Sequence, residues 1–538
     1  MPNGLALLRV DDIQDTRRRS VLLKQTQFTK KHGRRHHGFD KEKAPYPLSY
    51  DRLAVDLDII DHVFLKQMKQ SVSFVNFEEG LPRRCLDLGC GTGAWVLDAL
   101  TEWPDCEFVG FDLVNIQPAS NAFTNFDSSR IKWVYGNFLT TKLPFDDDEF
   151  DHVHIRGIAR AVPENKWDYL LEEIHRVLRP GGSVEMIEED ILFPSLPRWY
   201  TTALRARDQK KAMVHLPDGS LRRSLPMSPP PTPPRDDAPH DHALLESLFN
   251  SVFETRFINR EPTSILPSYF STYFRQVQCS PVINFPIPPL PSIPTYNIAA
   301  SRRFISPSSH ASQTRSVRSH RQERSQSSTS ESSVYNNSSD DDDEQLVQQR
   351  TPPSSEDESE ELSKTSNNSV YVQPYFSSPS DDTSIGDASA LLPISALSQA
   401  SSFSLALQLH RMYNLVLACQ ESMWEVLNDR IRNREQELKD LGWDDDDLEA
   451  DHARQRFEKL LERYEGDMKT RAALWQRMVL SQSPHFKLPR QGLMSKAEMN
   501  DEDRVYRAML EAQRKASDEN SRNQCRTLRI FVGFKSQM

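Results

Sequence analysis

Paired cysteines and long apolar runs are the first things this chain lacks. Its six cysteines, at positions 85, 90, 106, 279, 419 and 525, are scattered, and none stands in a C-x-x-C pair. That argues against a structural zinc site and against a disulfide scaffold, and no metal is expected. No apolar run approaches the roughly 18 residues of a membrane span and no signal peptide is evident, so the chain is expected in the nucleus or cytoplasm with no membrane partner. Only 37% of the residues are hydrophobic and the mean hydropathy is -0.63, so the 538 residues, room for several domains, are not all fold. Thirty-five prolines and long serine tracts account for the difference.

The formal net charge of -11 is unevenly spread. Arg17-Arg18-Arg19, then Lys30-Lys31 and Arg34-Arg35, make a basic arm in residues 1–44. The arm is expected to be unstructured, and its two clusters have the spacing of a nuclear import signal; no specific nucleic-acid partner is expected. Residues 284–398 are different again: a proline-rich run, Pro286 to Pro294, leads into Ser, Arg, Gln, Asp and Glu over 301–370, with Asp340–Glu344 and the acid-flanked Ser354, Ser355 and Ser359. Such a composition cannot bury enough surface to offset ordering and predicts a disordered insert, whose serines suit acid-directed kinases.

What the chain does have is Arg84–Gly93, RCLDLGCGTG. A short apolar run broken by one acid, Asp87, passes into Gly89, Gly91 and Gly93 and then into the apolar-periodic Trp95 to Leu100. This predicts a buried strand, a tight turn and a helix whose free N–H groups face a ligand. A second strand, Phe108 to Asp112, ends in an acid placed to meet a ribose. A dinucleotide fold wants G-x-G-x-x-G, but Ala94 stands where that pattern has its third glycine.

The form D-x-G-x-G-x-G, with an acid 19 residues beyond Gly93, resembles the class I S-adenosylmethionine-dependent methyltransferases. Two later stretches are similar to the same family. Gly136-Asn137-Phe138, Leu143-Pro144-Phe145 and Phe150–Ile155 resemble its G-D-x-x-x-L-P-F then F-D-x-V, and Leu178-Arg179-Pro180-Gly181-Gly182 its L-x-P-G-G turn. Tyr46-Pro47-Leu48 and His154-Ile155-Arg156 resemble the fungal methyltransferases related to the velvet-complex regulator of secondary metabolism, over about residues 45–280 and the extreme C-terminus.

The resemblance implies S-adenosyl-L-methionine as cofactor. It places Asp87, Gly89, Cys90, Gly91 and Gly93 around the methionine end, Asp112 and Leu113 at the ribose, Asn137 and Phe138 at the adenine, and His154 at the edge facing the acceptor. Asn137 stands where the family has an acid, and an amide can both accept and donate. Cys90 fits the turn as a small residue rather than as a nucleophile. His154 can accept a proton near neutral pH, but a histidine at a strand end is as often packing, so the catalytic residues stay unassigned. Glu188, Glu189, Trp199 and Tyr200 are candidates for shaping an acceptor pocket.

Alternating strands and helices predict an α/β fold, and the resemblance implies a doubly wound seven-stranded methyltransferase sheet with an antiparallel last strand, here interrupted by a long disordered insert and a helical segment. Strands are expected at about 84–88, 107–112, 131–135, 150–155, 183–189 and 257–266, with helices at 51–68, 94–101 and 167–178. Residues 45–283 make the methyltransferase core, 284–398 the insert, 399–526 a helical insertion and 527–538 the final strand. The apolar stripes from Leu405 to Ile431 and from Phe457 to Trp475 suit either a lid on the core or a partner-binding hairpin. The expected function is methyl transfer to an unidentified small-molecule or protein acceptor. The alternative is a cofactor-binding regulatory or scaffold subunit of a nuclear complex, contacting a protein partner through 284–480.

Overall fold

The computed structural model describes residues 27–78, 80–119, 128–211, 213–215, 221–223, 240–290, 375–376, 391, 401–440, 443, 448–474, 477, 496–515 and 523–537. It opens on a hairpin, β1 (Phe28–Lys31) and β2 (Arg34–His37), turned by His32 and Gly33, both at positive φ. Then come α1 (Arg52–Lys69), β3 (Arg84–Leu88), α2 (Ala94–Glu102), β4 (Glu107–Asp112), β5 (Ile131–Tyr135), β6 (Phe150–Arg156), α3 (Trp167–Val177) and β7 (Leu178–Glu188). Next are α4 (Arg198–Lys211), the small pair β8 (Met213–His215) and β9 (Leu221–Arg223), α5 (Ala243–Glu254), α6 (Pro262–Tyr273), β10 (Arg275–Cys279), β11 (Ile283–Pro286) and β12 (Tyr375–Phe376). The chain closes with α7 (Ser402–Ala418), α8 (Gln420–Asn433), α9 (Glu435–Asp440), α10 (Ala450–Ala472), α11 (Lys496–Lys515) and β13 (Gln524–Phe534).

The main sheet runs β12-β11-β13-β7-β6-β3-β4-β5, with β10 also on β13. From β7 to β5 every pairing is parallel, with α2 returning the chain from β3 to β4 and α3 from β6 to β7. The middle strands are covered on both faces: all but the last residue of β6 is buried, including Asp151, His152 and His154. β13 runs antiparallel to β7 and carries β10 and β11 on its other edge. This is the doubly wound methyltransferase sheet with an antiparallel last strand. One face packs α3 and α6 around Trp167, Leu170 and Phe270. The other joins α1, α4 and α5 to the late helices α7, α8 and α10 around Phe249, Val416 and Phe457.

Strands β3, β4 and β5 lie where the sequence places them, whereas four expectations change. Residues 257–266 are not a strand: Phe257 sits at φ 58, and Pro262 opens α6 at the first turn, where its missing N–H costs nothing. The sixth-strand role falls to β10 and β11, so the core extends past residue 283 into the start of the expected insert. Within the basic arm, residues 27–44 are ordered, because Phe28 packs edge-on against Tyr50 at 5.5 Å, Arg35 stacks over Phe28, and Lys31 Nζ reaches Glu425 at 2.6 Å. The stripe Leu405–Ile431 is two helices, α7 and α8, broken at Cys419, and it is buried in the chain's own core. Arg17–Arg19, Trp475 and residues 301–370 lie outside the described residues.

Candidate active site

A cavity opens at the carboxyl ends of β3, β4, β6 and β7, where the helical returns of a doubly wound sheet leave a crevice. Its floor is the turn after β3. Gly89 takes φ +77 there, and a Cβ on it would stand 2.5 Å from Ile158 Cγ2, so the turn passes too close to the β6 loop for any side chain. Gly91 and Cys90 border the cavity as well. Gly93 does not: it begins α2, and its missing Cβ makes room for the indole of Trp133. Cys90 is buried and its thiol is pushed well up by burial, which removes it as a nucleophile.

Two acids frame this floor. Asp112, at the end of β4, accepts from the Gly91 N–H at 2.8 Å and the Val114 N–H at 3.1 Å, and burial pushes its carboxyl up to about 6 against those hydrogen bonds. Asp87 is 3% exposed and borders the cavity, yet has no hydrogen-bond or ion-pair partner among the described residues. Burial, together with Asp58, Asp112 and Glu185 and against Arg156, holds its carboxyl well above the usual range. Such a group wants a cation, and the ammonium of a methionine moiety supplies one. The donors and the shape therefore fit S-adenosylmethionine.

The adenine-end residues are placed less simply. Leu113, Asn137 and Phe138 all border the cavity. The Asn137 amide, however, donates to the Lys43 carbonyl at 2.7 Å and accepts from the Leu139 N–H at 2.9 Å, so it ties the N-terminal segment to the rim.

His154 sits lower. It lies in register between Asp87 and Glu185, stacks on Trp95 with centroids 4.2 Å apart, and binds Glu185 Oε1 through Nδ1 at 2.7 Å. Burial lowers its imidazole to about 4, so it is neutral at physiological pH. Burial alone would raise Glu185, but the adjacent His152, 3.5 Å away, and the hydrogen-bonded His154 hold it far below the ordinary range. Donor atoms of His152, His154 and Glu185 lie within 4.8 Å of one another. The other Glu185 oxygen accepts from Ser73 Oγ at 2.8 Å and the Phe74 N–H at 2.7 Å, so these groups already satisfy the carboxylate as a hydrogen-bonded buttress.

The remaining wall of the cavity joins Glu189, a candidate from the sequence, to three residues that sequence reasoning did not assign, Asp61, Arg411 and Arg526. Asp61 of α1 and Glu189 after β7 form a buried hub with Arg411 of α7 and Arg526 of β13. Arg526 Nε meets Glu189 at 2.7 Å and its Nη1 meets Asp61 at 2.7 Å, while Arg411 Nη1 meets Glu189 at 2.6 Å. Arg160 also pairs with Glu189, and Arg156 with Asp58 at 2.9 Å. Burial would raise Asp61, but Arg411, Arg526 and Arg156 hold it well below the usual range. Glu188 and Glu189 border the cavity as expected; Trp199 and Tyr200 do not, Tyr200 instead packing in α4 beneath Arg471. The sequence signals for the hub were Glu189 at the end of a buried strand and an arginine just before an apolar one; nothing local pairs them.

Residues 85–182 match the family model described as a methyltransferase domain. Among curated proteins, the chain is 35% identical over 113 residues to a secondary metabolism regulator of Coprinopsis cinerea, covering 21% of this chain and 26% of that protein. It is 30% identical over 171 residues to the protein-methionine methyltransferase laeA of Emericella nidulans, covering 31% and 42%. It is 29% identical over 206 residues to a secondary metabolism regulator of Monascus pilosus, covering 35% and 52%. The matches thus span about a quarter to a half of these relatives' lengths.

Proposed function

We propose that this chain, whose residues 85–182 form a class I S-adenosylmethionine-dependent methyltransferase domain related to those of the fungal secondary-metabolism regulators, is an enzyme that transfers the cofactor's methyl group. Asp87 meets the methionine ammonium, Gly89 and Gly91 allow close backbone approach, Asp112 takes the ribose hydroxyls, and Leu113, Asn137 and Phe138 border the adenine. When bound, the cofactor supplies a methyl carbon made electrophilic by its sulfonium. The protein's task is to align the acceptor with it and keep water out. Tyr46, Leu48, Leu415 and Leu528, from three distant parts of the chain, wall the cavity, so the acceptor is a small molecule or one side chain reaching in. No helix among the described residues is long and apolar enough to cross a membrane.

The observation that carries this reading is the partnerless buried carboxyl of Asp87 beside the glycine turn. Isothermal titration of the full chain with S-adenosylmethionine tests it. The native protein binds, and Asp87→Asn and Asp112→Ala each weaken binding at least tenfold, the scale of one charge-assisted hydrogen bond. No heat with the native chain, or full affinity in both variants, refutes the assignment.

A further inference from the structure

Glu188 is the remaining carboxyl of the cavity without a cation of its own. It ends β7, is 1% exposed and borders the cavity next to Ile187 and Glu189. Its Oε1 accepts from the Ile158 N–H at 2.8 Å and the Ala159 N–H at 3.3 Å, and its Oε2 only from Ala159 at 3.3 Å. Two backbone donors on the β6 loop therefore fix the carboxyl plane, and Oε2 keeps capacity for another donor.

The neighbouring arginines make their close ion pairs with other acids, and Arg160 and Arg156 act on Glu188 only through their charge. After β6, Arg160 is spent on Glu189 and Arg156 on Asp58 and Asp61; from α1, Asp58 and Asp61 take arginines. Arg411 of α7 and Arg526 of β13 are held by Glu189 and Asp61. With Asp87 and Asp112 assigned to the cofactor, the acids bordering the cavity are accounted for except Glu188.

We infer that Glu188 faces the methyl acceptor and takes its proton, so that the acceptor is an amine or a hydroxyl rather than a thioether. This inference rests on the methyltransferase reading above. In the step it serves, the acceptor's nitrogen or oxygen forms the new bond to the methyl carbon. The carbon–sulfur bond breaks with its electron pair left on sulfur, and the acceptor's proton passes to Glu188. A thioether has no proton to lose and would leave this carboxylate without a task. Burial, against Arg160 and the Ala159 and Ile158 N–H groups, pushes the Glu188 carboxyl up to about 7, which suits a proton acceptor at neutral pH.

The test needs no acceptor. Sinefungin carries an ammonium where the cofactor carries its sulfonium methyl, whereas S-adenosylhomocysteine carries nothing there. Titrating the full chain with each ligand from pH 5.5 to 8 yields an affinity ratio from which the shared contacts to Asp87 and Asp112 cancel. If Glu188 faces the transfer position, the ratio favours sinefungin increasingly as the carboxyl ionises, by about tenfold over that range. Glu188→Gln flattens the rise and lowers the ratio at pH 8 by a similar factor. A ratio flat with pH in the native chain overturns the inference even if the variant does not fold, as does a folded variant with the native ratio. If neither ligand binds, the methyltransferase reading fails and this inference falls with it; binding of S-adenosylhomocysteine with a flat ratio removes the inference alone.

Discussion

Ending the chain at Asn520 removes β13 while leaving every expected cofactor residue in place, and it should abolish the folded domain. β13 lies inside the sheet: Arg529–Phe534 pair with Ser183–Glu188 of β7, and the opposite edge carries β10 and β11. Leu528, Ile530, Phe531 and Val532 are each no more than 2% exposed, and at ~1.5–3 kcal/mol per buried side chain they contribute about 10 kcal/mol. That rivals the ~5–15 kcal/mol by which a whole domain is stable. The deletion also strips β7 of hydrogen-bond partners and takes Arg526 from Asp61 and Glu189, leaving buried charge undercompensated. Thermal unfolding followed by circular dichroism, with cofactor titration beside it, is the assay. The truncated chain should show no cooperative transition. Phe531→Ala, whose ring lies 5.4 Å from that of Phe270, should cost about 3–5 kcal/mol and still fold if the domain has that much in reserve. A truncated chain that melts cooperatively near the full-length temperature and binds cofactor normally would refute the reasoning. Residues 401–538 would then have to be a domain of their own.

Gly89→Ala should lose at least tenfold in cofactor affinity, because φ +77 and the 2.5 Å approach to Ile158 both oppose a Cβ; Gly466→Ala, in open space on α10, is the control and should be neutral or slightly stabilising. Acid should destabilise the domain through His154. Its pKa falls from 6.5 to about 4 on folding, so between those values the unfolded chain binds the extra proton; this contribution is complete above pH 6.5 and is lost as pH falls towards 4. In urea titrations across that window, His154→Phe should flatten the slope by about 1.4 kcal/mol per pH unit, and an unchanged slope would show that His154 titrates normally.

The legible parts of this protein were those whose signals are local. The strand-turn-helix at Arg84–Glu102 was readable because a tight turn dictates glycine at particular positions and a buried parallel strand dictates an apolar run. The same locality made β4, β5 and β6 readable, and it gave β13 away as a strand needing a sheet. Where a local signal was ambiguous, packing decided. Ile265 and Leu266 read as strand residues until Pro262 and the face of α3 make them a helix, and KKHGRR read as a free basic arm until Phe28 meets Tyr50 and Lys31 meets Glu425. The ion-pair hub beside the cavity was beyond sequence, although Glu189 itself was legible at the end of its strand. Asp61, Glu189, Arg411 and Arg526 come from four elements spread over most of the chain, and a charge's partner depends on which elements the fold brings together, not on its neighbours in sequence. Glu188 shows the division most plainly: sequence placed it at the end of a strand, where ligands bind, but only the fold shows it buried on two backbone N–H groups of the β6 loop, with Arg160 and Arg156 ion-paired to other acids.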